Sequence, residues 1–479
     1  MKKLRIIIVL GFFVVLSCSK DFLEIPPISS VTVDNLYATD KDYQDAVTGC
    51  YAALRSSYDN MFVYGDIRSD DAWHALGNNA QMNAINNFSE RSSEPLFEST
   101  WRDYFSVVFR ANVLLQKIEE ADSEPVENKD QYISEAKFLR ALAYFDLVRI
   151  YGDVPMITSA ISIEESYSKG RISFDRIYEE IIIPDLLDAE IGLPVTYTGS
   201  DIGRATRGAA KALLGKVYLT RKDFPKAEVK LQEVTTLGYA LLPNYNDLFD
   251  YTKDEHHSEY IFDIEYLNGG QGLGSRFTNS FVPKSPQNHA DNFFGIKGGV
   301  GEFNTPTFDL FYAFEEIDPR RTITVDSVYY DNDGIPHKFI QIATFTQKYI
   351  TPVASLNDSP ANWKVLRYAD VLLMYAEALN ENGKTDQALE YLNQVRTRVE
   401  LAGYSGLTQD ETRNKIYDER RFELGMEGHR WFDLVRTGRA LEVLSSTGMK
   451  AYNTVFPIPL REVQVMNDPS VFPQNPGYD

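Results

Sequence analysis

The residues of this chain that could do chemistry fall into two groups. Near the C-terminus, Glu419, Arg420, Glu423 and Glu427 recur at three- and four-residue spacing, and His429 stands four residues before Asp433. Acid–base catalysis uses such groups, but it needs convergent geometry rather than charge alone. The same spacing makes neighbours on one helix face, and helical salt bridges account for all of them. No HExxH metal site, GxSxG elbow or GxxxxGK[ST] phosphate loop occurs in the sequence. His256-His257 has no acidic partner at metal-ligand spacing. Asp331-Asn332-Asp333-Gly334 has part of a calcium-loop pattern, but Tyr329 occupies the first ligand position, so a turn is expected. Gly269-Gly270-Gln271-Gly272-Leu273-Gly274 opens no helix and reads as a flexible loop rather than a phosphate cradle. The expectation is no catalytic residue, no metal and no cofactor.

The second group suits binding. Sugars present apolar CH faces and hydroxyl edges, so their sites pair exposed aromatic rings with Asn, Asp, Arg and Gln. Arg68-Ser69-Asp70-Asp71-Ala72-Trp73-His74, followed by Asn78 and Asn79, supplies both in a loop between helices. Trp73 is the expected stacking platform, with burial in the core as the alternative. Arg68, Asp70, Asn78 and Asn79 are the expected hydroxyl partners. A second wall is expected from Asn288, Asn292, Phe293 and Phe294, beside Gly298-Gly299. Trp363 is a further candidate, although it precedes a helical pattern and could instead staple that helix's start. Trp101 and Trp431 lie within helical patterns and are expected in the core.

Mostly helices must position these groups. Apolar residues at three- and four-residue spacing predict helices over Asp40–Ser56, Trp101–Ile118, Gln131–Tyr151, Phe174–Glu190, Arg207–Thr220 and Pro225–Leu237. Others follow over Lys364–Asn382, Thr385–Glu400, Gln409–Leu424 and His429–Leu444. Gly215, Ala227 and Leu231 repeat the spacing of Ala376, Ala388 and Leu392. Small, then Ala, then large at this interval marks a tetratricopeptide helix pair, with two unrelated amphipathic hairpins as the alternative. The copies lie 161 residues apart, which predicts no continuous solenoid but an insertion between them. That insertion, about 241–362, is rich in Gly, Asn, Pro and aromatics. Strand-like runs stand at Tyr260–Tyr266, Thr322–Tyr330 and His337–Ile350, and Asp333-Gly334 reads as a hairpin turn. Loops this long inside a compact domain are usually functional.

Lys2, Lys3 and Arg5 precede an apolar run from Ile6 to Leu16, then Ser17-Cys18. The run is too short for a bilayer, which takes about 20 apolar residues, and it reads as a secretory leader. A cysteine directly after it fits lipoprotein processing, in which Cys18 is acylated and becomes the new N-terminus. Several acyl chains at about 0.8 kcal/mol per buried CH₂ make a lasting anchor. Residues 1–17 are thus the expected signal peptide, and 18–30, with Pro26-Pro27, a lipidated tether. The formal charge of −21 grows more negative once the basic leader leaves, which excludes nucleic acid and other polyanions as partners. Cys50 is then the remaining thiol and belongs in a helix interior.

Two long motifs point further. Arg367-Tyr368-Ala369-Asp370-Val371-Leu372-Leu373-Met374-Tyr375-Ala376-Glu377-Ala378 resembles a signature of the SusD/RagB nutrient-binding lipoproteins of Bacteroidetes. So do Glu419-Arg420-Arg421-Phe422-Glu423-Leu424 and Glu427-Gly428-His429-Arg430-Trp431-Phe432-Asp433-Leu434-Val435-Arg436. Cys18-Ser19-Lys20-Asp21-Phe22-Leu23-Glu24 is similar to the group's mature start, and Trp101, Tyr104 and Asn112 fit. The resemblance spans essentially the whole mature chain. It implies a mainly α fold: four tetratricopeptide-like helix pairs as scaffold, with a long irregular loop and short-strand insertion as ligand face.

One SusD-like domain over 31–479 is expected, with halves at about 31–240 and 260–479. The resemblance also implies a non-catalytic lipoprotein on the outer membrane, facing the cell exterior. It would pass an oligosaccharide to a SusC-like TonB-dependent transporter. Some members of the family take peptides, and its ligand residues vary, so none transfers by motif. Peptide capture by the same architecture and a tetratricopeptide assembly scaffold are the alternative readings. A glycoside hydrolase would need two carboxylates about 5 to 9.5 Å apart across a cleft.

Overall fold

The computed structural model describes residues 37–478 apart from 38, 76, 122–125, 254, 285–288, 300, 302, 331–334 and 339–343. The leader, Cys18 and the tether lie outside the described residues, as do Asn288 and the Asp331–Gly334 turn.

Eight helices form the scaffold: α1 (Asp40–Tyr58), α2 (Pro95–Glu120), α3 (Lys129–Tyr151), α4 (Ile183–Gly192), α5 (Arg207–Thr220), α6 (Phe224–Thr235), α7 (Tyr368–Glu381) and α8 (Thr385–Arg398). They pack as four consecutive pairs, α1 on α2, α3 on α4, α5 on α6 and α7 on α8. α9 (Gln409–Leu424) packs on α7, and α10 (Arg430–Arg436) follows it. Local sequence fixes the ends. Thr39 and Asp42 form a capping box at the start of α1, and Thr408 with Glu411 does the same for α9. Gly152, at φ 72°, terminates α3.

The repeated small residues close these pairs. A Cβ on Gly215 would lie 2.6 Å from the Leu231 side chain, so only glycine lets α5 and α6 approach this far. Ala227, Ala376, Ala388 and Leu392 are fully buried. The expected break in the solenoid does not occur. α6 packs directly on α7, so the two repeat units are neighbours in space and the insertion leaves and returns between them.

Several element boundaries also differ from expectation. Phe174–Glu190 holds a wide π turn at Tyr178–Ile182, just before Pro184, whose ring cannot complete ordinary helical hydrogen bonds. The expected helix from Lys364 begins only at Tyr368. Trp363–Arg367 is instead a fully buried strand, antiparallel to Tyr260–Ile264, with Tyr260 opposite Arg367 and Ile264 opposite Trp363. All five residues are buried, Lys364 and Arg367 included, so the strand shows no alternation of apolar and polar residues for periodicity to read. Within Thr322–Tyr330 a short helix, Arg320–Thr324, comes first and the strand is Val328–Tyr330. Its partner is Pro336–Lys338, a shorter strand than the expected His337–Ile350 run. The last expected helix stops at Arg436 and resumes at Ala440, because Gly438 takes φ 76°.

One apolar core runs from Tyr43 to Phe472. The insertion adds satellite clusters of its own, one of Val282, Ile296, Phe345 and Val353, another of Ala72, Leu310, Phe314, Val325 and Met426. Cys50 is buried, and that burial pushes its thiol up to about 12, so it packs and does not react.

Candidate functional site

The site begins at a two-residue strand, β1 (Ala72–Trp73), paired antiparallel with β2 (Thr305–Pro306) so that Trp73 faces Thr305. Alternation decides the outcome: Ala72 turns into the core and Trp73 turns out, 42% exposed. Ala72 packs with Leu310 and Phe314, while Ala75 packs on the cluster that holds Phe294. The Trp73 loop is therefore joined to both halves of the aromatic insertion. Phe293, 43% exposed, stands edge-on against Phe294.

Two further exposed rings stand on a helix tethered to the Trp73 loop, and sequence reasoning missed them. Thr307 caps the short helix Phe308–Ala313, whose Phe308 and Tyr312 are 47% and 76% exposed and stack on one another at 6.0 Å. Thr307 also donates through its amide to Asp71 O and through its hydroxyl to Asp70 O, which fixes this helix to the Trp73 loop. The signal was legible: two aromatics at i and i+4 lie opposite Leu310, directly after a capping Thr. Beneath the loop His74 stacks on Phe303 at 5.1 Å and meets Asn78 Oδ1 at 3.0 Å.

Not all expected partners reach this face. Arg68 is fully buried. Its guanidinium pairs with Glu90 at 2.7 Å and lies 4.0 Å over the Phe88 ring, so it belongs to the core and not to a ligand. Asp70 gives both carboxylate oxygens to Arg430, at 2.8 and 2.7 Å, and these cations hold its pKa below the usual range. Asn79 caps the helix Ala80–Asn86 by accepting from Met82 N. Trp363 is buried and stacks on Tyr349 at 5.2 Å, which removes it both as platform and as helix staple. Phe294 is half buried against Phe345. Trp73, Phe293, Asn78 and Asn292 remain exposed. Trp101 and Trp431 are in the core.

The glycine-rich loop does cradle an anion, but an internal one: the amides of Gly269 and Gly270 donate to the Asp358 carboxylate at 3.0–3.1 Å. The charged C-terminal motif is likewise structural, though not through pairs along one helix. Glu419 and Glu423 share a face of α9 and would repel, and Glu427 follows in the turn after it. Buried cations from elsewhere neutralise them: Arg320 on Glu419 and Glu423, Arg367 on Glu423 and Glu427, Lys348 on Glu427, Arg396 on Glu419 and Arg398 on Glu423. Gly428 ends this ladder at φ 78°, where its carbonyl packs against Gly65 too closely for a Cβ on the latter. Among the described residues no three His, Cys, Asp or Glu side chains converge as metal ligands.

Four stacked helix pairs that carry a loop-built aromatic face define a binding protein of tetratricopeptide-like architecture. The SusD family description matches residues 334–478, and a second, starch-binding associating with outer membrane, matches residues 21–219. The chain belongs to the SusD family, and its role there is binding rather than catalysis. It is 28% identical over 519 residues to SusD-like protein P25 of Formosa agariphila, covering 96% of each chain. It is 23% identical over 495 residues to the starch-binding protein SusD of Bacteroides thetaiotaomicron, covering 88% of this chain and 86% of that one. A solved structure titled laminarin binding SusD-like protein superposes with a TM-score of 0.79 at 29% identity, over 92% of this chain and 100% of that one.

Proposed function

We propose that this protein captures an oligosaccharide on the aromatic face around Trp73 and delivers it to a SusC-like TonB-dependent transporter of the outer membrane. The observation that carries the reading is the exposed indole of Trp73, held by a backbone ladder and joined on either side to exposed Phe293, Phe308 and Tyr312. Rings already held in place lose little freedom on binding and stack on sugar CH faces, while Asn78 and Asn292 supply hydroxyl partners. Relatives described as laminarin binding and starch-binding support a glycan over other nutrients. The acidic chain disfavours polyanionic ligands.

Acylation of Cys18 anchors the protein to the outer membrane, facing outward. No helix among the described residues is long and apolar enough to cross a membrane. Calorimetry with laminarin, starch oligosaccharides and mixed peptides tests the ligand. Saturable binding of a neutral glycan supports the reading; binding of peptides alone replaces it with peptide capture. Co-purification with a β-barrel transporter after mild detergent extraction tests the partner.

A further inference from the structure

A cavity of about 390 Å³ shares no residue with the aromatic face. It lies where the ends of α3 and α5 meet α10, and its size suits a small molecule. Arg149, Lys216, Arg221, Lys222, Arg420 and Arg436 line it, and Asp433 is the one carboxylate among the described lining residues. The carboxylates that pair with these cations, Asp146, Asp175, Asp370 and Glu377, stand outside the lining. Phe174, Tyr178, Met374 and Phe432 give the walls an apolar character.

Asp433 also pairs with Arg420 and Arg436, so these six cations face five carboxylates and Lys222 is left over. Lys216 Nζ spends one hydrogen bond on Asp370 at 3.0 Å and the next on His429 Nδ1 at 3.3 Å, a neutral imidazole where a second carboxylate would serve. Burial first, and then Lys216, push the His429 pKa down to about 3, so this ring adds no charge at neutral pH. Arg149 is held flat between the rings of Phe145 and Phe432, at 4.1 and 4.2 Å, with its position fixed before any ligand arrives. The helix ends here are the C-termini of α3 and α5, whose partial negative charge offsets part of this field. Exposed Arg221 and Lys222 lead in from solvent.

We infer that this cavity is a second binding site, for a small molecule that joins one carboxylate or phosphate to a compact ring or apolar body. The net negative charge of the whole chain does not forbid it, because charges beyond about 10 Å are screened at physiological salt.

Calorimetry at physiological ionic strength on the mature chain tests this with inorganic phosphate, glucuronate and neutral glucose. The expected result is that at least one anion binds tenfold or more tighter than glucose. That affinity should fall at least tenfold in an Arg221→Gln/Lys222→Gln double variant and hold in Trp73→Ala. Both rim residues are exposed, so the variant should melt with the parent. The ring signals of His429 in the unmodified chain should shift saturably with the same anion and stay fixed with glucose. Absence of anion binding, equal affinity in the double variant, or an unmoved His429 each overturns the inference. The glycan reading at Trp73 stands or falls separately.

Discussion

Lys348 Nζ and Glu427 Oε1 meet at 2.6 Å across 79 residues of chain, with neither side chain exposed. Lys348 belongs to the insertion and Glu427 to the turn after α9, so this pair, with Arg320 on Glu419 and Glu423, ties the ligand-bearing segment to the scaffold. Removing Lys348 leaves buried Glu427 with Arg367 as its remaining cation. Lys348→Met should therefore lower stability by about 1–3 kcal/mol in urea unfolding, and Lys348→Met with Glu427→Leu by less. A double variant no better than the single one would show that the pair does not act as a unit.

The same ladder sets an acid limit. Arg367 and Lys348 outweigh burial and hold Glu427 down to about 2, against an ordinary value near 4.5. A depressed carboxylate contributes stability that is whole above pH 4.5 and lost as pH falls toward 2. Glu423 is depressed as well, by Arg398, Arg367 and Arg320. Asp66 and Glu255, pushed up to about 7 by burial, take protons in the folded state first, so urea midpoints should rise from pH 7 to 5 and then fall steeply below 4.5. Glu427→Gln should flatten that fall, and an unchanged profile in this variant would refute the assignment.

How far the sequence could be read depended on whether the physics was local. Thr408, Glu411 and the apolar spacing of α9 lie within one turn or two, and the expected Gln409–Leu424 is the observed helix. Trp363–Arg367 escaped notice because its hydrogen bonds run to Tyr260–Ile264, about a hundred residues away. The site divides in the same manner. Trp73 faces out because of a two-residue register that no local pattern contains. Arg68, in a run of polar residues, looked solvated and is instead the mate of Glu90. Side-chain type told what chemistry was available; which groups turn outward was a tertiary decision.

The tight helix contacts make a packing prediction. Gly215→Leu would drive a side chain into Leu231, and Ala388→Phe would overfill a fully buried position on α8. Each should cost about 1–3 kcal/mol by overpacking, read as a lower melting temperature with native-like helical circular dichroism. Unchanged melting in both would mean these pairs yield freely.

The anchor is tested by Cys18→Ala expressed in a host without the transporter, so that no complex can hold the protein at the membrane. The parent should label with palmitate and sediment with outer membranes, while the variant takes no label and stays in the supernatant. Equal sedimentation of both would remove the lipid anchor from the reading.

Trp73 and Arg68 are close in sequence and opposite in setting, so comparing them separates site from core. Trp73→Ala removes an exposed ring worth about 0.5–1.5 kcal/mol of stacking beyond its buried area, roughly a two- to thirteenfold weaker Kd for a bound glycan. Its melting temperature should match the parent, because Trp73 adds little to the core. Arg68→Ala strands Glu90 in the interior and opens the space between Phe88 and Phe456, so it should lose about 3–5 kcal/mol of stability. The fraction that remains folded should bind glycan as the parent does. Measuring affinity and melting on both proteins gives four numbers. A Trp73→Ala protein that melts early and binds normally would move the platform to Phe308 and Tyr312.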